Sequence, residues 1–304
     1  MKLSKTHIPD KNTLCSEFLQ RHSILPTPIV QRELSVIYWV VRTKLEVDHD
    51  LVNRVDTLNQ ADPVWALLRS MLDRIFEYIE GAICAYVTGS TAASEIISRT
   101  TIESAVNLLF ILVDSRDGSH LTQYLSHYFS NEEKEIDRWL NLVDSLDSDA
   151  KRVHQLKAIQ KKTTLISLKK YIDQALAEFK LPTTEQAVKK WPNIAERFKL
   201  LGLELDYRTV YAALCSQTHN DAEDLLNYFV VVSLGNRDLL DKVGLETVNF
   251  SRLMMYMGVE YYISAAGGYA VRFELNDALD GISQGRNIIL KELEKIANEL
   301  DSAT

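Results

Sequence analysis

Two groups of polar side chains stand in otherwise apolar helical stretches and have the types and spacing that chemistry needs. The first is Ser98-Arg99-Thr100-Thr101-Ile102-Glu103. Arg99 and Glu103 are four residues apart, so on a helix they share a face. The flanking Ile96, Ile97, Ala105, Val106 and Leu108 are apolar, which places the pair at least partly out of water. A guanidinium in that setting must be paired and hydrogen-bonded, because an uncompensated buried charge is strongly destabilising. Such a pair either fixes helix packing as a structural ion pair or holds the Arg ready to face an anion such as a phosphate.

The second group runs from Tyr211 to Asp221. Tyr211, Cys215 and His219 recur every fourth residue and project from one helix face, with Ser216 beside them. A His near the end of a helical stretch is favoured as a cation by the helix dipole. Near neutral pH it can give or take a proton. The alternative is a His that satisfies backbone carbonyls while Tyr211 packs.

A third feature is electrostatic. From Lys151 to Ile172 there are several Lys and Arg residues, Lys157, Lys161 and Lys162 among them, and no Asp or Glu. A basic stripe of this kind can track a phosphate backbone. The preceding stretch, Asn131 to Asp149, is acidic, and the two segments are expected to fold as an antiparallel hairpin whose charges complement each other. Metal ligation is poorly supported. Glu46-x-x-His49 has the spacing used in di-iron bundles, but those need a second such motif and two more carboxylates, and no second Glu-x-x-His exists. His219 with Glu223 and Glu103 makes only a sparse carboxylate–His set. No metal and no cofactor are expected. P-loop, GxGxxG, GxSxG, HExxH and kinase signatures are all missing.

Helices must position these groups. Glycine (11) and proline (6) are scarce, and several mark helix ends. Thr27-Pro28 and Asp62-Pro63 each set a capping side chain before a proline at the first helical position. Apolar residues at a spacing of three or four predict one helix from Ile29 to about Leu58, a second from Val64 that Gly89-Ser90 breaks, and a third from Ser90 to about Val113. Asp114 to Ser119 is a loop, followed by two acidic helical stretches to about Leu146 and a long helix from about Asp149 to Lys180. Helices are also expected from Asp206 to His219, from Asp221 to Leu234, from Thr247 to Phe273 and from Asp277 to Asp301. Tyr228 to Ser233 is the only tempting strand, and it fits a buried helix equally well. The fold class is therefore all-α, a multi-helix bundle of about ten helices. Its expected parts are an N-terminal extension and long helix (1–61), a core helical domain (62–240) and a C-terminal helical hairpin packed on that core (241–304). In Met254-Met255-Tyr256-Met257 and Tyr261-Tyr262, core packing or a dimer contact explains the apolar run better than a ligand box.

The composition, 46% apolar and 25% charged, is that of a globular protein. A net charge of −8 gives no overall attraction to nucleic acid or anionic lipid, so any such binding needs a local patch. Three scattered cysteines, Cys15, Cys84 and Cys215, point to reduced thiols and a cytoplasmic location. No signal peptide is evident, and the uncharged run Gly81–Ser94 is too short to span a bilayer.

Arg99-Thr100-x-x-Glu103 on one apolar helix, followed by Tyr211-x-x-x-x-Ser216-x-x-His219, resembles a family of bacterial all-helical proteins known only as a domain of unknown function. The resemblance extends over roughly Leu58 to Leu240. That family looks distantly like the HEPN (higher eukaryotes and prokaryotes nucleotide-binding) helical domains, many of which are metal-independent ribonucleases of toxin–antitoxin and antiphage systems. Those nucleases carry Arg and His a few residues apart on one helix. Here Arg99 and His219 would have to meet across helices, and the Arg42…His49 spacing is read as chance. The resemblance implies a catalytic set of Arg99, Glu103, Ser216 and His219, with Tyr211, Lys157, Lys161 and Lys162 binding. His219 would move a proton at the ribose 2′-hydroxyl or at the leaving oxygen. Arg99 would stabilise charge growing on the phosphate, and Glu103 would orient Arg99. The partners it implies are RNA and a protein such as an antitoxin; a second copy of the chain is also an expected partner, and a membrane is not. The other reading is a non-enzymatic sensor or protein-interaction module in which Arg99, Glu103 and His219 form a structural polar lock.

Overall fold

The computed structural model describes residues 8–62, 64–114, 117–187, 189–214, 229, 233 and 237–303. Among them there is no strand, and eleven α-helices account for most of the chain. The fold is all-α. By its contacts the chain forms two compact units, one of Met1–Leu112 with Ile194–Thr304 and one of Val113–Asn193.

The first unit begins with α1 (Lys11–Arg21), a helix that the apolar spacing of this stretch is too brief to announce. Asp10 caps it by accepting from the amides of Asn12 and Thr13, and Leu14, Cys15 and Phe18 form its buried stripe. α2 (Pro28–Val52) starts as its sequence implies, with the Thr27 hydroxyl accepting from the Val30 amide and Pro28 in the first turn. The helix does not continue to Leu58. It ends at Asn53, and a separate short helix, α3 (Val55–Ala61), follows. Arg54 at this break donates to the Glu274 carbonyl oxygen. Asp62 is not a side-chain cap for α4 (Trp65–Val87); its carboxylate pairs with Arg272 at 3.0 Å.

α4 and α5 (Thr91–Leu112) form a tight hairpin. Gly89, at φ +86°, supplies the left-handed residue. The Ser90 amide bonds back to the Ala85 carbonyl and the Gly89 amide to that of Tyr86, so the last carbonyls of α4 are satisfied. Further on come α8 (Ile194–Leu200), the three-residue α9 (Glu204–Asp206), α10 (Arg237–Arg272) and α11 (Asn276–Ala303).

α10 is the axis of this unit. It packs along α5, α4, α11 and α2. Met254, Met255, Tyr256, Val259, Tyr261, Tyr262 and Tyr269 are all buried along it, so a helix apolar on several sides is explained by neighbours on several sides. The methionine and tyrosine run is thus core of this unit. Buried tyrosine hydroxyls need partners. Tyr256 donates to Glu33 at 2.8 Å, Tyr261 to Asp206 at 2.8 Å and Tyr269 to the Trp65 carbonyl at 3.1 Å. α10 is already helical well before Thr247, which does not cap a helix there: its hydroxyl donates back to the Val243 carbonyl within a continuing helix. At the far end, Asp50 of α2 accepts from the Asp277 and Ala278 amides and so caps α11 from a neighbouring helix.

Gly285 lets α11 approach α2: a Cβ there would lie 2.8 Å from Trp39 Cε3. Gly285→Ala is therefore expected to destabilise by about 1–3 kcal/mol through overpacking. Gly244→Ala, where a Cβ meets nothing within 4 Å, is expected to be neutral or to stabilise by up to about 1 kcal/mol through the helix propensity of Ala. Urea unfolding of the two variants checks the contrast.

A second expectation concerns the thiols of this unit. Burial, aided by the nearby Glu80 carboxylate, pushes Cys84 up to about 11. Burial also raises Cys15, whose Sγ sits 3.3 Å from the Leu34 carbonyl oxygen. Because only the thiolate reacts, Cys84 at pH 7 should expose on the order of one reactive molecule in 10,000. Peptide mass spectrometry after iodoacetamide is expected to find Cys15 and Cys84 largely unlabelled in the native chain, and Cys84 labelling should climb as pH rises toward 11.

The second unit is a helical hairpin. The expected pair of acidic helices is one continuous helix, α6 (Ser119–Val143), which lies against α7 (Ser148–Glu178). Phe129, Ile136 and Leu165 are buried together, with Leu140 and Ile172 packed on them. The charge complementarity read from sequence is present. Lys161 meets Glu132 at 2.7 Å, Lys162 meets Asp137 at 2.9 Å and Lys151 meets Asp144 at 3.0 Å. These pairs are exposed to water and screened by it, so they add little to stability. Asp173 closes the unit by accepting from the Thr184 amide at 2.7 Å and from its hydroxyl at 2.8 Å.

Candidate functional site

α5 has two faces. Ser94, Ser98, Thr101, Ile102, Ala105, Leu108 and Leu112 recur at three- and four-residue spacing and are buried. Gly258 of α10 packs on that side: a Cβ there would sit in ordinary contact with Ser98 Cα at 3.6 Å but would press on Ile79 Cδ1 of α4 at 3.1 Å. Ile96, Arg99, Thr100, Glu103, Ser104 and Asn107 lie on the opposite face and line an open recess of about 360 Å³. Arg99 and Glu103 are half-buried there.

Tyr211 arrives from the segment after α9. The chain is α-helical over Glu204–Asp206, and then Tyr207–Tyr211 forms a π-helical turn in which the Ala212 amide bonds to the Tyr207 carbonyl. Such a wide turn is an uncommon local geometry that is frequent at functional sites. Asp206 is fixed by the Tyr261 hydroxyl at 2.8 Å. Tyr207 stacks on Tyr211 with ring centroids 5.7 Å apart, and Phe198 of α8 packs on both. This aromatic wall holds the buried Tyr211 over α5.

There Tyr211 does two things. Its hydroxyl donates to Glu103 Oε2 at 2.7 Å, and its ring lies under the Arg99 guanidinium, 5.5 Å from the centroid. Burial and the Glu103 hydrogen bond drive the phenol above its ordinary range, with Arg99 opposing. Tyr211 therefore remains a donor at physiological pH. Glu103 is tied through its carboxylate, and the cation is held against an aromatic face, a contact worth about 0.5–2 kcal/mol depending on desolvation.

Arg99, Glu103 and Tyr211 thus meet at one place. Ser216, His219 and Cys215, together with the helix expected over 221–234, lie outside the described residues, apart from residues 229 and 233, which are helical. Lys157, Lys161 and Lys162 are on α7 of the second unit, where Lys161 and Lys162 carry the acidic partners named above. Among the described residues no three His, Cys, Asp or Glu side chains gather as a metal site.

Two features here were not anticipated from sequence. Asn107 lines the recess, and its buried Oδ1 has no hydrogen-bond partner among the described residues. Across the unit, Glu33 is 0% exposed and accepts from Arg252 Nε at 2.9 Å, from Arg32 Nε at 2.8 Å and from the Tyr256 hydroxyl. A charge in step with Val30, Ile37 and Val40 on the apolar stripe of α2 was the available signal for Glu33.

A sequence model for a family of unknown function, DUF5677, matches residues 64–236, more than half of the chain. The chain belongs to the DUF5677 family. The matched region takes in α4, α5 and the segment that carries Tyr211. No curated protein and no solved structure matches.

Proposed function

We propose that the Arg99–Glu103–Tyr211 recess receives a phosphate of RNA and that the chain is a metal-independent ribonuclease acting as a bacterial toxin or antiphage effector. The observation that carries this reading is position: the Arg/Glu pair stands on the open face of α5, in a recess, and not among the helices of the core. A guanidinium already backed by an aromatic ring needs little reordering to meet an anion, and pre-set charge is what stabilises a developing phosphorane. In the proposed reaction the ribose 2′-oxygen attacks phosphorus, a P–O2′ bond forms and the P–O5′ bond breaks. His219 takes the 2′-proton or supplies one to the departing 5′-oxygen, and water carries the other of these two protons. Arg99 binds the non-bridging oxygens, and Glu103, held by Tyr211, sets the orientation of Arg99. Ser216 belongs to the proposed catalytic set and Tyr211 to the proposed binding set.

The Tyr211–Glu103 hydrogen bond also favours a second reading. It ties α5 to the segment after α9, as a structural lock in a non-enzymatic sensor or interaction module would. The two readings separate in one experiment: RNA cleavage by the purified chain in EDTA, with Arg99→Ala and His219→Ala compared at matched thermal stability. Cleavage that survives EDTA and disappears in both folded variants supports the ribonuclease. No cleavage by the wild type, with a large loss of melting temperature in Arg99→Ala, supports the lock.

A further inference from the structure

α7 has a face that its own unit leaves uncovered. Of its 31 residues only Ala158, Leu165 and Leu176 are buried, all on the side toward α6. On the far side Val153, Leu156, Leu168 and Tyr171 are 50%, 61%, 43% and 72% exposed. Gln160 and Thr164, between them, are exposed as well. These six positions form a stripe about 27 Å long with no charge among them, bordered by exposed Lys157. Ile159 and Ile166, also exposed, flank it.

The spacing along the stripe is symmetric. Steps of three, four, four, four and three residues run from Val153 to Tyr171, so the pattern reads the same from either end about residue 162. We infer that this face binds a second copy of the chain, with the two α7 helices antiparallel across a two-fold axis at the level of residue 162. In that register Leu156 meets Leu168 of the second copy, Val153 meets Tyr171, and Gln160 meets Thr164. Every pair is apolar with apolar or uncharged polar with uncharged polar. A two-fold contact requires a surface complementary to itself, and a stripe symmetric along its length meets that requirement. Of the cations near this face, Lys161 and Lys162 pair with Glu132 and Asp137 of their own hairpin, and exposed Lys157 lies opposite Ser167 of the second copy, away from the second Lys157. This interface is independent of the ribonuclease reading.

The test is the mass of the whole chain in solution, by light scattering coupled to size exclusion, from micromolar to near-millimolar concentration. The wild type is expected to dimerise. The double variant Leu156→Glu/Leu168→Glu is expected to weaken the dimer at least 10-fold while its helical circular dichroism and melting stay unchanged, since both positions are exposed. Register is tested separately with Gln160→Cys and Thr164→Cys. Oxidising a mixture of the two single variants should cross-link faster than oxidising either alone. A wild type that stays monomeric throughout, or a dimer indifferent to the glutamates, overturns the proposal. Cross-linking of each single variant as fast as of the mixture overturns the antiparallel register.

Discussion

Arg252→Ala is expected to cost about 3–5 kcal/mol of folding stability, among the largest effects of any single substitution in this chain. Glu33 is fully buried and Arg252 is 5% exposed, and the two meet at 2.9 Å. Removing the guanidinium leaves a carboxylate in the interior with only Arg32 and the Tyr256 hydroxyl to stabilise it. It also leaves a cavity beside α10. Glu33→Ala should cost less than Arg252→Ala, because it strands the Tyr256 hydroxyl but leaves Arg252 its pair with Glu299 at 3.5 Å. The double variant should cost well under the sum of the two, with a coupling on the order of 1–3 kcal/mol. By contrast Arg138→Ala, which removes an exposed pair with Glu135, should stay within about 0.5 kcal/mol. Urea unfolding midpoints and slopes for the wild type and the four variants measure this directly.

Arg99→Ala is expected to lower RNA cleavage roughly 100- to 1,000-fold, the usual cost of deleting one pre-set donor to a developing oxyanion. The stability change should be small, because the guanidinium is half-exposed on the open face of α5. Arg99→Lys keeps the charge but not the planar fork that grips two phosphate oxygens, so only partial activity should return. Tyr211→Phe removes the hydrogen bond to Glu103 while leaving the ring under Arg99. It should cost about 1 kcal/mol of stability and reduce cleavage less than Arg99→Ala does. Single-turnover rates at saturating RNA separate these effects from binding.

Long periodic helices were the legible part of the fold. α2, α4, α5 and α7 follow apolar spacing and caps such as Thr27-Pro28 and Gly89-Ser90, which act locally. What sequence periodicity missed depends on neighbours or on brief signals. α1 has only three buried residues. α10 runs through Gly244 and Thr247 because packing against α5, α4 and α11 outweighs local helix-ending cues. Asp62 caps nothing because Arg272, distant in sequence, takes its carboxylate. In the candidate site, the shared face of Arg99 and Glu103 followed from their i, i+4 spacing. The contact with Tyr211 did not, since it crosses helices and depends on a π turn that no spacing rule at 3.6 residues per turn anticipates.

The most direct measurement is the chemistry of the RNA ends left by the wild-type chain in EDTA. Attack by the 2′-oxygen, assisted by His219 and Arg99, predicts a 2′,3′-cyclic phosphate on one fragment and a 5′-hydroxyl on the other, both lost in His219→Ala and Arg99→Ala. Fragments ending in a 3′-hydroxyl and a 5′-phosphate, or RNA left intact by a folded wild-type chain, would contradict a ribonuclease built on this recess.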